Sequence, residues 1–162
     1  MKEIRPSVVL VRDGKILLLK SRYSSREFYL LPGGSIEEFE TIEEAAVRET
    51  KEETNYDIKI KKLLYIQEWI YKKRKKDVLY VIFLGEILGG KETHLKDPCL
   101  GTGHIQGIEW IEIDKLDEIV FYPKDIFLCS GKIIKKDSKQ ARCFSSQLAE
   151  HQVIEILKPG YS

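Results

Sequence analysis

Three apolar segments near the start of the chain predict a hairpin followed by a short strand. Residues 7–11 and 15–20 are rich in valine, isoleucine and leucine, and residues 12–14 (Arg-Asp-Gly) separate them. Asp-Gly between two apolar segments is a strong hairpin signal, because glycine accepts the positive φ that such turns need. The third segment, 28–31, is followed by Pro-Gly-Gly at 32–34, where a strand must end.

A helix is predicted over residues 41–54. Thr41 is a suitable N-cap, and Glu44 follows it at the spacing of a capping box. Asn55 stands where the helix should end, and asparagine is the best residue after glycine for the left-handed turn needed there.

The second half of the chain is predicted to form further strands and terminal helices. Apolar segments at 57–70 and 78–88 indicate two long strands, residues 91–107 indicate a loop, and alternation resumes at 108–113. A short helix is predicted from Asp114 to Val120.

Residues 138–157 are the better candidate for a terminal helix after residue 123. Strands, then a helix, then strands with terminal helices are typical of the α+β class or of a mixed α/β sandwich, and not of a regular βαβ series. We expect one domain over residues 1–162, with a helical extension from about residue 124.

Composition indicates an ordinary globular domain. The 162 residues are 43% hydrophobic and 33% charged, and 27 basic residues face 26 acidic ones, so nucleic acid is not the expected partner. Three cysteines without a CxxC spacing do not suggest zinc. The chain has neither a membrane-length apolar segment nor a signal peptide pattern, so we expect a cytoplasmic protein without a membrane partner.

One side of the predicted helix changes from apolar to acidic. At about 100° per residue, one third of the circumference carries Ile42, Ala45, Ala46, Glu49, Glu52 and Glu53. Thr50, Lys51 and Thr54 lie opposite, on the side predicted to face solvent. Like charges at these spacings each cost about 0.2–0.5 kcal/mol, which a hard divalent cation such as Mg²⁺ or Mn²⁺ offsets. A solvated acidic face is the alternative.

The residues around the acidic stripe strengthen the case for a site. The Pro-Gly-Gly segment at 32–34 allows backbone atoms to approach a metal or a phosphate closely. Arg48 lies beside the stripe and can pair with Glu44 or Glu52, and Glu40 is another partner that can hold it.

These positions, taken in register, resemble the Nudix hydrolase box, G-x5-E-x7-R-E-U-x-E-E-x-G-U, where U is a bulky apolar residue. The residues that match its glycine, arginine and glutamate positions are Gly34, Glu40, Arg48, Glu49, Glu52 and Glu53. Thr50 replaces an aliphatic residue and Asn55 replaces the closing glycine, whereas Tyr56 is a large but acceptable apolar residue. The wider pattern resembles the family over roughly residues 5–125.

The resemblance implies a Nudix fold, a mixed β-sheet sandwiched between α-helices. It also implies a MutT-like, Mg²⁺-dependent hydrolase, with Mn²⁺ as a substitute, that cleaves a diphosphate linkage. The expected substrate is a small-molecule nucleotide in which a nucleoside diphosphate is joined to another group. A nucleoside triphosphate, a nucleotide sugar and a dinucleoside polyphosphate all fit.

The resemblance also implies roles for individual residues. Carried over by position, the metal ligands are Gly33, through its carbonyl, and Glu49, Glu52 and Glu53. Glu49 is alternatively the base that activates water, and Arg48 and Glu40 orient the glutamates.

Substrate contacts are expected from Arg22 and Arg26, which precede the glycine loop, and from Gly34 and Glu40. Solvated loop cations are the alternative for the two arginines. Many family members supply another acidic group from a loop after the box, and His104 and Glu109 are candidates here for an extra base or ligand. The alternative is that His104 is an ordinary loop histidine and that the base lies in the box itself.

Other functions and partners stay open at this point. The main alternative is a non-catalytic Nudix-fold domain that binds a nucleotide for regulation, and another is an isomerase of prenyl diphosphates. Glu52 and Glu53 are both retained, which favours hydrolysis. Candidates for base stacking are Trp69, Tyr71, Phe83 and Trp110. The oligomeric state is open, and a homodimer is compatible with the sequence.

Overall fold

The computed structural model describes residues 2–72, 75–93, 105–123 and 142–144. The strands are β1 (Glu3–Arg12), β2 (Lys15–Tyr23), β3 (Arg26–Leu30), β4 (Tyr56–Tyr71), β5 (Lys76–Gly90), β6 (Ile105–Glu112), β7 (Phe121–Tyr122) and β8 (Arg142–Phe144). The described residues also contain the helix α1 (Ile42–Thr54) and a 3₁₀ helix at Ile113–Glu118. The latter corresponds to the short helix predicted from Asp114.

The strands form a curled mixed sheet in the order β7-β3-β2-β1-β5-β4-β8, and β6 pairs with β2. Strand β1 runs parallel to β5, from the pair Glu3 and Val78 to the pair Leu10 and Gly85. Strand β2 is antiparallel to β1, β3 and β6. A mixed sheet with a helix packed on it confirms the predicted α+β class.

The core consists of two hydrophobic clusters on opposite faces of β1. Val9 belongs to the first cluster, together with Phe121. Val8 and Leu10 belong to the second cluster, which includes Ala46 of α1. Successive residues of a strand point to opposite faces, so β1 supplies both clusters, and α1 covers one of them.

Both predicted ends of the helix are confirmed. Thr41 Oγ1 accepts a hydrogen bond from the Glu44 amide at 3.2 Å, and the Thr41 amide donates to Glu44 Oε2 at 2.8 Å. Asn55 is left-handed, with φ 62°, and its amide donates to the Lys51 carbonyl at 2.8 Å. The Glu44 carboxylate is therefore used by the N-cap, whereas Arg48 finds other partners.

The prediction that Thr50 and Thr54 face solvent is wrong, because both are completely buried. Thr50 Oγ1 donates to the Ala46 carbonyl at 2.8 Å, and Thr54 Oγ1 donates to the Thr50 carbonyl at 2.6 Å. Each hydroxyl is satisfied by the carbonyl four residues earlier. The buried side of α1 can therefore extend over threonines that a hydropathy pattern assigns to the solvated side.

The helix predicted over 138–157 is wrong at residues 142–144, which form β8 and pair antiparallel with Ile66–Glu68 of β4. The edge of β4 offers backbone groups that a passing segment can satisfy as an added strand, whatever its own periodicity. The rest of this range, and the rest of the helical extension predicted from about residue 124, lie outside the described residues. In the part of the chain that is described, no helix is both long and apolar enough to cross a membrane.

The capping box gives a prediction about stability. Thr41→Ala is expected to lower the free energy of unfolding by about 1 kcal/mol, because the Glu44 amide loses its acceptor. The backbone amide and hydroxyl of Thr41 also hold the pKa of Glu44 below its usual value. The contribution of Glu44 is therefore complete above its unfolded-state pKa and is lost as the pH falls through its lowered folded-state pKa.

Urea unfolding measures both effects. Glu44→Gln should be less stable than the wild type at neutral pH, and the difference should disappear in acid. Glu43→Gln, in the same helical turn, is the control and should match the wild type. A Thr41→Ala protein with wild-type stability would contradict the role given to the cap.

Candidate active site

The glycine segment between β3 and α1 passes close to the backbone of β1. Gly33 forms an antiparallel bridge with Ser7, and the Val8 amide donates to the Pro32 carbonyl at 2.9 Å. Gly33 has φ +147°, and a Cβ on it would lie 2.2 Å from the carbonyl oxygen of Pro6. Because this obstacle is backbone, the position requires glycine.

Two of the three box glutamates are buried against this segment. Glu53 is 4% exposed, and its Oε2 accepts a hydrogen bond from the Gly33 amide at 2.8 Å. Glu49 is 8% exposed, and its Cδ and Oε1 lie 2.2 Å from where a Cβ on Gly34 would be. Residues four apart lie on the same side of a helix, so the two carboxylates together join α1 to the glycine segment.

Arg48 links the glutamates to the segment before the helix. Its Nε and Nη2 donate to the two carboxylate oxygens of Glu40 at 2.8 and 2.9 Å, and Nη2 also donates to the Ser35 carbonyl at 2.9 Å. Its Nη1 lies 3.2 Å from Glu49 Oε1 and 3.3 Å from Glu52 Oε2. A planar guanidinium suits this two-pronged contact. The predicted pairing of Arg48 with Glu40 and Glu52 is confirmed.

The electrostatics of the site depend on burial and on Arg48. Burial raises the pKa of Glu49, although Arg48 acts in the opposite direction. Hydrogen bonds from Arg48 hold the pKa of Glu40 below its usual value, and the same bonds raise the pKa of Arg48. The site therefore contains a permanent cation and a buried carboxylate whose charged form needs further positive charge nearby.

The glutamates do not form a ready-made cage for a metal ion. Among the described residues, no three His, Cys, Asp or Glu side chains are grouped so that they could hold one. The metal ligation predicted for Gly33, Glu49, Glu52 and Glu53 therefore stays a prediction. The chemistry of the residues suits a divalent cation, because buried carboxylates are hard oxygen donors and their desolvation cost is offset by positive charge. The Glu52 side chain, 48% exposed, can turn towards such an ion.

Arg22 and Arg26 lie on the β2–β3 hairpin. In the register of the two strands, Arg22 is opposite Glu27 and Arg26 is opposite Tyr23. Arg26 opens β3, so at about 3.3 Å per residue it precedes the end of that strand by roughly 13 Å. Their contact with substrate stays a prediction.

Of the candidates for an extra base or ligand, Glu109 lies on β6 and is held by residues of β2 and β3. Its Oε2 accepts a hydrogen bond from the Tyr29 hydroxyl at 2.9 Å, and its Oε1 lies 3.2 Å from Lys20 Nζ. Its role as an extra base or ligand stays a prediction. His104 lies outside the described residues.

A cleft of about 240 Å³ opens beside Gly33. The residues that give it its chemistry are Arg5, Gly33, Tyr71, Lys76, Tyr80 and Tyr122. The sequence had pointed to Gly33 and Tyr71 but not to the others. The alternation along β1 and β5 could have indicated Arg5 and Tyr80, because it places both side chains on strand faces. Their proximity comes from parallel pairing, which local pattern does not reveal.

A larger hollow of about 740 Å³ lies on the other side of α1. Arg48 and Glu40 are among the residues that line it. The lining also includes Glu43, Val47 and Lys51, which lie on the side of the helix away from Glu49 and Glu53. Further carboxylates of Glu44 and Asp57 also line it, so it is poorly suited to a polyphosphate. The cleft beside Gly33 is the better candidate for substrate.

Comparison with known proteins decides the family. A model of the NUDIX domain matches residues 1–129. The chain belongs to the Nudix family. This Nudix chain is 37% identical over 84 residues to an ADP-ribose pyrophosphatase of Methanocaldococcus jannaschii, covering 51% of this chain and 50% of that protein. It is 32% identical over 94 residues to an RNA pyrophosphohydrolase of Wolbachia pipientis subsp. Culex pipiens, covering 56% and 57%.

The Nudix chain thus spans about half the length of these curated relatives. Their names agree with the predicted enzyme class. Among solved structures, a NUDIX hydrolase from Nitrosomonas europaea superposes with a TM-score of 0.64 at 22% identity, covering 74% of this chain and 78% of that one. This similarity confirms the predicted Nudix fold.

Proposed function

We propose that this Nudix protein hydrolyses a diphosphate linkage in which a nucleoside diphosphate is joined to another group. The observation that carries the proposal is the burial of Glu49 and Glu53 against Gly33 and Gly34. Two buried carboxylates one helical turn apart oppose folding unless positive charge compensates them. Arg48 supplies part of this charge from one side.

The residues of the site have different roles in the proposed reaction. Glu49, Glu52, Glu53 and the Gly33 carbonyl would hold Mg²⁺ or Mn²⁺. A cation held there would supply positive charge to the phosphate oxygens of the substrate. Arg48 is a positioning residue, because it fixes Glu49 and Glu52 relative to Glu40.

In the reaction, the oxygen of a water molecule attacks one phosphorus atom and the bridging P–O bond breaks. A carboxylate of the site accepts the proton that the water loses, and two phosphate products leave. General base catalysis of this kind requires hydrogen-bond reach to the water, which a cluster of carboxylates provides.

The names of two relatives, an ADP-ribose pyrophosphatase and an RNA pyrophosphohydrolase, suggest ADP-ribose and RNA as the first substrates to test. Basic and acidic residues of this chain nearly balance, 27 against 26. This gives no broad basic field for a long polyanion, so we favour a small nucleotide over RNA.

The test is hydrolysis of a defined panel with Mg²⁺, with Mn²⁺ and with EDTA, and identification of the products by mass. The panel contains ADP-ribose, a nucleotide sugar, a nucleoside triphosphate, a dinucleoside polyphosphate and a 5′-triphosphate RNA oligonucleotide. We expect a nucleoside monophosphate from at least one small nucleotide, formed only with a divalent cation. Binding of the nucleotides without any turnover would instead indicate a non-catalytic Nudix domain.

A further inference from the structure

The cleft beside Gly33 combines two cations with three tyrosine rings. Arg5 and Tyr80 are direct neighbours across β1 and β5, and Tyr71 and Lys76 are partners at the end of the β4–β5 pair. Tyr122, from β7, completes the group. Aromatic faces beside cations are the surroundings that a nucleobase attached to a phosphate requires.

Glu3 holds the two cations in place. Its Oε1 accepts a hydrogen bond from Arg5 Nη1 at 2.8 Å, and its Oε2 lies 2.6 Å from Lys76 Nζ. Burial acts to raise the pKa of Glu3, but the hydrogen bonds from Lys76 and Arg5 outweigh it and lower the pKa. One carboxylate thus orients two cations, and the group keeps a net positive charge.

Gly33 connects the cleft to the acidic site. It lines the cleft together with Arg5 and Tyr80, and its amide donates to Glu53 Oε2 at 2.8 Å. Burial raises the pKa of Tyr80 to about 12, so this ring stays a neutral phenol. A phosphate next to Gly33 would therefore lie in the same cleft as Arg5 and the tyrosine rings.

The three tyrosines of the cleft differ in their exposure to solvent. The Tyr71 ring is stacked on Trp69, at 5.9 Å between centroids and 18° between planes, so its orientation is fixed. Tyr71 and Tyr122 are 37% and 46% exposed, which leaves ring surface available to a ligand. Tyr80 is less exposed and forms the floor.

The size of the cleft limits what it holds. Whole ligands occupy pockets of about 300–1,000 Å³, and this cleft measures about 240 Å³. It therefore suits one part of a substrate and not all of it.

We infer that this cleft binds the nucleoside monophosphate half of the substrate, with Arg5 and Lys76 on the phosphate and the tyrosine rings on the base. The orientation of the substrate rests on the proposed hydrolysis at the adjoining glutamates. The binding of a nucleoside monophosphate is independent of the proposed hydrolysis, because this ligand contains no diphosphate linkage to cleave.

The test is equilibrium binding of AMP and of ribose 5-phosphate, which lacks the base, measured by calorimetry in EDTA. We expect AMP to bind about tenfold more tightly than ribose 5-phosphate, as one stacked base provides. Arg5→Gln should weaken both ligands by about tenfold, the loss expected for a charge-assisted hydrogen bond. Tyr122→Ala should weaken AMP alone.

Control variants come from the same sheet. Lys61→Gln removes an exposed cation that pairs with Glu86 across β4 and β5, and Tyr23→Ala removes a tyrosine that is 65% exposed on the β2–β3 hairpin. Both should bind AMP like the wild type. If thermal melting shows that Tyr122→Ala is unfolded, Tyr71→Ala takes its place.

Equal affinity for AMP and ribose 5-phosphate would overturn the inference, and so would cleft variants that behave like the controls. Failure of the proposed hydrolysis has a different signature. In that case no panel compound is cleaved although AMP binding depends on Arg5. If the cleft assignment alone fails, hydrolysis persists while Arg5→Gln leaves AMP binding unchanged.

Discussion

Glu53→Gln is expected to lower turnover by about 10²- to 10⁴-fold, the range for losing a group that acts directly on the reacting atoms. The substitution removes the negative charge of the side chain and keeps its shape. Glu53 Oε2 accepts a hydrogen bond from the Gly33 amide, and the amide oxygen of glutamine can accept the same bond. The glycine segment should therefore keep its position, while the anionic ligand for a cation is lost.

The measurement is the initial rate on the best compound of the panel, with thermal melting to check the fold. Glu43→Gln is the matched control, because it makes the same change on an exposed residue of the same helix. We expect wild-type rates from it. A Glu53→Gln protein that melts normally and turns over at the wild-type rate would rule out this helix as the active site.

The site helix could be predicted from sequence because its signals are local. The capping box at Thr41, the left-handed Asn55 and the acidic stripe all depend on residues within one or two turns of each other. The error at Thr50 and Thr54 is also local in origin. Hydropathy treats a threonine as polar, whereas a hydroxyl bonded to its own helix can be buried.

The cleft as a whole could not be predicted, because its halves meet only through long-range pairing. Arg5 and Tyr80 are neighbours because β1 pairs in parallel with β5, and parallel neighbours need a long crossover that leaves no local signature. Strand β8 illustrates the same limit, since its pairing with β4 reflects an available edge and not the periodicity of residues 138–157. Local pattern thus identified the acidic side chains of α1 but, of the residues that line the cleft, only Gly33 and Tyr71.

Gly34→Ala is expected to reduce kcat by about 100-fold, the loss associated with a misplacement of about 1 Å at a catalytic centre. A Cβ at this position would lie 2.2 Å from Cδ and Oε1 of Glu49, so the carboxylate must move. The carboxylate is the far end of a flexible side chain and can move without the backbone, so the melting temperature should change little. A substitution at Gly33 is less suitable for testing catalysis. A Cβ there would meet the Pro6 carbonyl, so the substitution would test folding instead.

Gly89→Ala is the control for this substitution, because a Cβ on Gly89 has no neighbouring atom within 4 Å. It should keep both the rate and the melting temperature of the wild type. Rate and stability are measured on both variants, so that a loss of activity can be separated from a loss of fold. If Gly34→Ala retained wild-type kcat, the position of the Glu49 carboxylate would not matter to the reaction. The metal-holding role proposed for Glu49 would then have to be abandoned, because a carboxylate displaced from the glycine segment cannot bind the ion in the same geometry.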